Sequence, residues 1–473
     1  MKISYSPIHT SHMVGYRRQK YLLYIGLILI ILVVLILYYF GANRELENLT
    51  VLGGSGSENL PAEISAIEPY DNSVKFDSQW LKKNCLQGFN VTEEVGNIGK
   101  LVDAWKNAPR RECRDLFETF KDVYLVQDRS APLVIPDTFA PKVLKWLGGK
   151  QELLKEATLQ PITSVENLYT QESTVFNPLR AKRPGAGGGA TEETKKYLAE
   201  LIQSSAKECD FCTYKVNTAK DPFESVESKH SLSVSNTFKV EKFHSLIIWR
   251  RHNPLEINEE ELLDAMETAQ KWFHRAHQYD EQYTIPHIYL DILPRASASQ
   301  VHPHFHVALA RDHYYARWAH FQVSAMKYSA NHDGENYFSA LNRIHSALGL
   351  SVQHGNASVI ASVTPAAPYE IYLFSKTPCK DLFQLLYYSI AALRDDMELY
   401  AMSAGMVFPK LGPLTDQSDL PAIIRLVYRG PAEARRADID SLMLFGTVNV
   451  NVDPYTVIKS IKQSIAKRRP KPG

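Results

Sequence analysis

The run Val301-His302-Pro303-His304-Phe305-His306-Val307-Ala308-Leu309 places imidazoles at alternate positions. Side chains two apart on a β-strand share a face, so His302, His304 and His306 are expected on one surface, with Phe305 and Val307 on the other. Such a strand can be a solvated or hydrogen-bonded histidine face, a metal site, or a nucleophilic centre. In the last case one neutral imidazole attacks phosphorus while its neighbours orient it and handle protons. Four residues of zinc-ligand type stand in order along the chain: Cys209, Cys212, His252 and His302. Two thiolates from a Cys-x-x-Cys knuckle and two imidazoles close a tetrahedral structural site; a disulfide or redox pair is the competing reading of the knuckle in an oxidising compartment. Arg180 and Arg183 precede the glycine-rich stretch Gly185 to Ala190, where they either grip phosphate or form a solvated cluster beside a boundary loop.

The elements that must hold these residues read as α+β. Ser231 to Trp249 is β-rich, Ile257 to His277 repeats Leu262, Leu263, Met266, Ala269 and Trp272 at helical spacing, and Ile288 to Leu293 is a strand before the turn-like Pro294 to Ser299. Thr191 is a plausible cap for a helix running to Ser205. The final third repeats the order in weaker form: strands at Ala357 to Val363, Tyr369 to Phe374 and Ala422 to Tyr428, with Asp381 to Met402 mostly helical and no histidine strand. The expected fold is a duplicated antiparallel sheet with flanking helices. Its divisions are a cytoplasmic tail (1–20), an anchor (21–40), a flexible stem (41–65), a helix-leaning accessory region (66–170), a catalytic unit (171–345), a degenerate repeat (346–466) and a basic tail (467–473).

Tyr21 to Phe40 is free of charge and proline, and about 20 apolar residues cover a bilayer's hydrocarbon layer. Lys2, Arg17, Arg18 and Lys20 precede it, which orients the chain as a type II signal anchor with everything beyond residue 41 lumenal, in the endoplasmic reticulum or Golgi. Sequons at Asn48, Asn90 and Asn356 agree with that side of the membrane. Of five cysteines, Cys85 and Cys113 are the natural guess for a disulfide, leaving Cys379 and the knuckle. The net charge of +1 and the lack of a basic stripe with interleaved aromatics exclude nucleic acid as an expected partner.

With these residues in hand, the chain resembles the galactose-1-phosphate uridylyltransferase family, within the wider histidine triad superfamily, over about residues 170 to 465. The likeness is carried by Asn177-Pro178 with Arg180-Ala181-Lys182-Arg183-Pro184, the Cys209/Cys212 knuckle, Ser235-Asn236-Thr237-Phe238, the strand ending in His252, and Ser299-x-x-His302-Pro303-His304. The resemblance implies that His304 is a nucleophile taking up a nucleoside monophosphate as a covalent nucleotidyl-histidine. It further implies that Cys209, Cys212, His252 and His302 hold a structural zinc, that Ser299 lends a hydroxyl to the phosphate loop, and that Arg180, Arg183, Asn236, Asp291 and Gln300 contact substrate. The implied activity is nucleotidyl transfer from a nucleoside-diphosphate sugar or related pyrophosphate, with a second copy of the chain as a candidate partner.

Departures from the family pattern keep two alternatives open. His306 replaces a glutamine, which is the pattern of triad hydrolases; Asp291 replaces an asparagine and brings a carboxylate to bound phosphate; and the loop Pro294 to Ala298 lacks the family's glycines. The metal-binding histidines that some members carry are missing around Arg425 to Arg429. A nucleotide hydrolase, with His306 completing the site, is one alternative, and a zinc-stabilised binding protein without activity is the other.

Overall fold

Runs such as Phe243 to Trp249 and Ala422 to Tyr428 are rich in β-branched and aromatic side chains, which pack well on a pleated, buried surface. The computed structural model describes residues 67–89, 92–182, 189–412 and 420–469. In chain order its strands are β1 (Tyr124–Pro132), β2 (Leu159–Asn167), β3 (Ser173–Phe176), β4 (Ser231–Ser235), β5 (Phe243–Trp249), β6 (Ile285–Ile292), β7 (His304–Ala310), β8 (Ser351–His354), β9 (Ala357–Ala361), β10 (Ile371–Ser375), β11 (Met402–Val407), β12 (Ala422–Tyr428) and β13 (Thr447–Asn449).

Nine of them make one antiparallel sheet in the order β4-β5-β7-β6-β11-β12-β10-β9-β8. The quartets β4-β5-β7-β6 and β9-β10-β12-β11 share one internal order and meet back to back where β6 pairs with β11, Asp291 opposite Ser403. A helix lies between the second and third strand of each quartet: Glu259–Tyr279 and Lys380–Ala391. The duplication is thus visible in the topology, while the expected boundary at residue 345 falls inside the helix Tyr337–Ala347, and both halves share one continuous sheet and one compact unit, Ile64–Gly473.

Helix Glu259–Tyr279 starts two residues after the expected Ile257, at a cap. The Asn258 side chain accepts from the Glu261 N–H and the Glu261 carboxylate accepts from the Asn258 N–H, a reciprocal capping box. Its Leu262, Ala265, Met266, Ala269, Trp272, Phe273 and Ala276 are buried against β4, β5 and β7. Helices Lys380–Ala391 and Pro454–Arg468 cover the other half of the same sheet. Thr191 caps Glu192–Ser205 by accepting from the Thr194 N–H.

Two expectations are amended. The accessory region does lean to helix, with five α-helices among the described residues between Ser78 and Ala157, but it also holds strands, because β1 and β2 pair from Tyr124↔Asn167 to Pro132↔Leu159 and join β3 and β13 in a four-stranded sheet. β1 is largely exposed and polar, so the hairpin is set by a distant partner rather than by its own periodicity. The stretch to Met402 is not helical to its end: the helix stops at Ala391, a π-turn covers Ala392–Asp396, and Met402 opens β11. Its sequence, Met-Ser-Ala-Gly-Met-Val, has weak strand preference and is held by β6 on one side and β12 on the other.

The accessory helices share the main core. Leu81, Trp105, Leu116 and Phe120 belong to one buried cluster with Tyr337, Phe338 and Leu341, and a Cys85–Cys113 disulfide ties the helices Ser78–Asn84 and Arg111–Val123 together. The anchor run 21–40 lies outside the described residues, as do Asn48, Asn90 and Arg183; among the described residues no helix is long and apolar enough to cross a membrane.

Candidate active site

The histidines are not three equivalent positions on one strand. β7 begins only at His304, opposite Ile248 on β5. Pro303 has no N–H to give a ladder, so the chain before it bends and His302 turns out of register. His302 Nε2 donates to the Trp249 carbonyl at 2.7 Å, which leaves Nδ1 as a lone pair. That lone pair lies 3.4 Å from Cys209 Sγ, 3.5 Å from Cys212 Sγ and 3.2 Å from His252 Nδ1. His252 Nδ1 is also 3.4 Å from Cys212 Sγ, while its Nε2 is held by Ser205 Oγ at 3.1 Å.

The donor set fits a tetrahedral cation. Legs of about 2.1 Å to nitrogen and 2.3 Å to sulfur require nitrogen–nitrogen edges of about 3.4 Å and nitrogen–sulfur edges of about 3.6 Å. The four ligand atoms lie within 4.8 Å of one another, and both cysteines are free thiols rather than a disulfide. Burial pushes the Cys212 thiol up to about 11, so a bound cation is what would keep it a thiolate at neutral pH. Burial likewise holds His302 neutral, down at about 4.

His304 is oriented by the next peptide. Its Nδ1–H donates to the His302 carbonyl at 2.8 Å, so Nε2 carries the lone pair. The ring is almost fully buried, and burial lowers its pKa below the ordinary imidazole range. A neutral imidazole with a fixed tautomer is the form that can attack an electrophile. Phe211, inside the knuckle, stands edge-on to His302 and His304, with ring centroids 5.6 and 5.2 Å away.

His306 faces a second array. The Val240 N–H donates to His244 Nδ1 at 3.1 Å, so the His244 proton is on Nε2, 2.9 Å from His306 Nδ1 and 2.9 Å from the Tyr289 hydroxyl. Asn236 Nδ2 lies 3.4 Å from His306 Nδ1, with its Oδ1 fixed by the Phe238 N–H at 2.8 Å. His306 Nδ1 is therefore an acceptor and its remaining proton sits on Nε2. Burial brings His306 to about 3 and His244 to about 4, both neutral. Tyr289 stacks on His306 at 4.8 Å.

Asp291 joins this face from β6. It lines, with His302, His304, Trp249, Ile257 and Arg394, a cleft beside the His304 imidazole. The loop after it takes conformations suited to glycine without any: Leu293 has φ +74° and Ser297 φ +79°. The expected loss of glycines there is thus met by strained non-glycine residues. Arg295 Nε anchors the loop to the Arg429 carbonyl at 2.7 Å, and Gly430 has φ +91° at a point where a side chain would meet Arg295.

The other expected residues are placed less centrally. Ser299 is exposed and Gln300 half-buried on the bend before His302. Arg180 is half-buried on the short helix Pro178–Lys182, whose Leu179 packs with Leu147 and Ala157 of the accessory region. Asn356 is exposed at the β8–β9 turn. His244, Tyr289, Phe211, Ser403 and Arg429 were not singled out from sequence. A lone imidazole in the apolar strand β5 is a weak signal for His244; nothing local marks Ser403 or Arg429, which approach Asp291 from more distant strands.

No protein-family model matches the chain, and no curated protein matches it. Among solved structures, the chain is similar to an ADP-glucose phosphorylase from Arabidopsis thaliana with bound ADP-glucose, at 15% identity and a TM-score of 0.49 over 63% of this chain and 97% of that one. It is similar to a galT-like protein from Arabidopsis thaliana at 14% identity and a TM-score of 0.46, covering 54% and 92% of the two chains. A uridylyltransferase mutant matches at 11% identity and a TM-score of 0.45, covering 65% and 99%.

Proposed function

We propose that this protein is a nucleotidyltransferase that opens a nucleoside-diphosphate sugar or related pyrophosphate through a nucleotidyl-His304 intermediate. The observation that carries the proposal is the 2.8 Å hydrogen bond from His304 Nδ1–H to the His302 carbonyl, which leaves Nε2 free to form the bond to phosphorus. In the first half, His304 Nε2 attacks the α-phosphorus, the phosphorus–nitrogen bond forms and the bridging phosphorus–oxygen bond breaks. In the second, an acceptor oxygen displaces His304 and its proton is lost. His306, with its proton on Nε2, supplies a donor for charge developing on the phosphoryl oxygens. Residues 171–345 act as the catalytic copy and 346–466 as its degenerate partner.

Cys209, Cys212, His252 and His302 hold a zinc ion, whose chemistry is structural: it fixes the knuckle against the bend before β7. The run 21–40 anchors the chain as a type II membrane protein of the endoplasmic reticulum or Golgi, with the catalytic region lumenal and glycans on Asn48, Asn90 and Asn356. The Cys85–Cys113 disulfide supports an oxidising compartment.

Purified protein offered a labelled nucleotide-sugar panel is expected to form an acid-labile adduct that His304→Ala abolishes. Absence of both adduct and turnover across the panel removes the reading. A second reading, hydrolysis, is favoured by the third imidazole itself. Release of free monophosphate without acceptor, converted to transfer by His306→Gln, would establish it.

A further inference from the structure

Asp291 stands directly opposite Ser403 at the seam between the two sheet halves. Ser403 Oγ donates to Asp291 Oδ1 at 2.5 Å and accepts from Arg429 Nη1 at 2.8 Å. The single hydroxyl proton is therefore committed to Asp291, and the guanidinium reaches the carboxyl only through it. Arg429 is itself occupied by Asp438, with Nε 2.5 Å from Oδ2, and Arg295 Nη2 lies 3.8 Å from the same carboxylate. The other ionisable groups lining the cleft are His302 and His304, whose rings are held neutral, Tyr387, and Arg394, whose guanidinium is bound by Asp395 and by the Ile257 carbonyl. Tyr289, two residues back on the same face, is turned to the imidazoles.

Burial outweighs the Ser403 hydrogen bond and the charge of Arg429, both of which favour the carboxylate, and lifts the Asp291 carboxyl above the ordinary carboxylate range. A phosphoryl group brought to His304 adds negative charge to the same cleft and lifts it further. An ionised Asp291 would repel that group; a protonated one has a donor to offer.

We propose that Asp291 holds the substrate's phosphoryl group as a carboxylic acid, with Ser403 fixing Oδ1 as an acceptor and the Oδ2 hydroxyl donating to a non-bridging phosphate oxygen. The inference rests on the nucleotidyl-transfer reading above. No covalent bond forms at Asp291, and one proton is taken up with the phosphoryl group from solvent when the free site is ionised. Phosphate capture by this chain is thereby coupled to acid, whereas an amide at the position would donate at any pH. The seam residues Ser403 and Arg429 act as positioning residues for that acid.

Calorimetric titration of the whole chain and of Asp291→Asn with UMP, AMP and inorganic pyrophosphate, from about pH 5.5 to about pH 8, tests this. Ser403 can donate to an asparagine Oδ1 as it does to Asp291, so the variant keeps the seam. Wild-type affinity is expected to weaken about tenfold more than that of Asp291→Asn across the window, and the variant is expected to bind tighter than wild type at the alkaline end. Parallel pH profiles in the two proteins overturn the proposal. A profile difference seen with pyrophosphate, but no UMP or AMP binding, supports the acid and overturns the nucleotide reading instead. Infrared difference spectra on pyrophosphate addition read the proton directly: a carboxylic-acid carbonyl band in wild type, missing from Asp291→Asn, is expected, and its absence in wild type overturns the proposal.

Discussion

The Phe211 ring stands edge-on to His304 at 5.2 Å, and Phe211 lies between the two cysteines of the metal knuckle. The same ring also meets His302, so one aromatic side chain touches both the candidate metal ligand and the proposed nucleophile. Edge-to-face contacts of this kind contribute about 0.5–1.5 kcal/mol beyond area burial. Phe211→Ala is expected to slow adduct formation by about tenfold while bound zinc, measured by elemental analysis, stays at one ion per chain. Loss of zinc together with the rate would show a role in the knuckle alone.

Zinc itself is expected to contribute to folding. His252→Ala removes one of the donors and leaves Ser205 without its Nε2 partner. The variant is expected to purify without zinc and to melt at lower temperature, and chelation of wild type should reproduce the shift, because binding free energy at a structural site is folding free energy. Unchanged melting after complete zinc removal would refute it.

The loop after β6 stores strain that can be released. Ser297 has φ +79° and an exposed side chain, so Ser297→Gly removes a Cβ penalty without opening a cavity. A gain of about 0.5–1 kcal/mol in denaturant unfolding is expected, less the entropy that glycine adds to the unfolded chain. Leu293, at φ +74°, is fully buried, so the same change there should destabilise through lost packing.

Acid should weaken the fold through His345, far from the site. Its Nδ1–H donates to the Leu341 carbonyl at 2.8 Å and burial brings its pKa down to about 4. The folded state therefore binds fewer protons than the unfolded one between about pH 6.5 and about pH 4, and stability falls as pH falls through that window, by up to about 1.4 kcal/mol per unit. Urea unfolding of His345→Phe should show a flatter slope across it, whatever its absolute stability.

Much of this was legible because the signals are local. Strand and helix periodicity located β5, β12 and helix Glu259–Tyr279 to within a few residues, and the chemistry of Cys209, Cys212, His252 and His302 announced a ligand set before any distance was known. The hairpin β1–β2 and strand β11 were not legible, since the first is polar and the second has weak strand preference; each exists because a partner distant in sequence pairs with it.

The sequence by itself determined the types of group at the site and the alternation that brings them near one another. Only the tertiary structure divided their labour. Pro303 broke the ladder so that His302 turned to the cysteines, backbone carbonyls fixed which nitrogen of His302 and His304 keeps its lone pair, and the seam between β6 and β11 delivered Ser403 to Asp291. A histidine's role depends on which ring nitrogen bears the proton, and that is decided by a hydrogen-bond partner the residue's own neighbours in sequence need not supply.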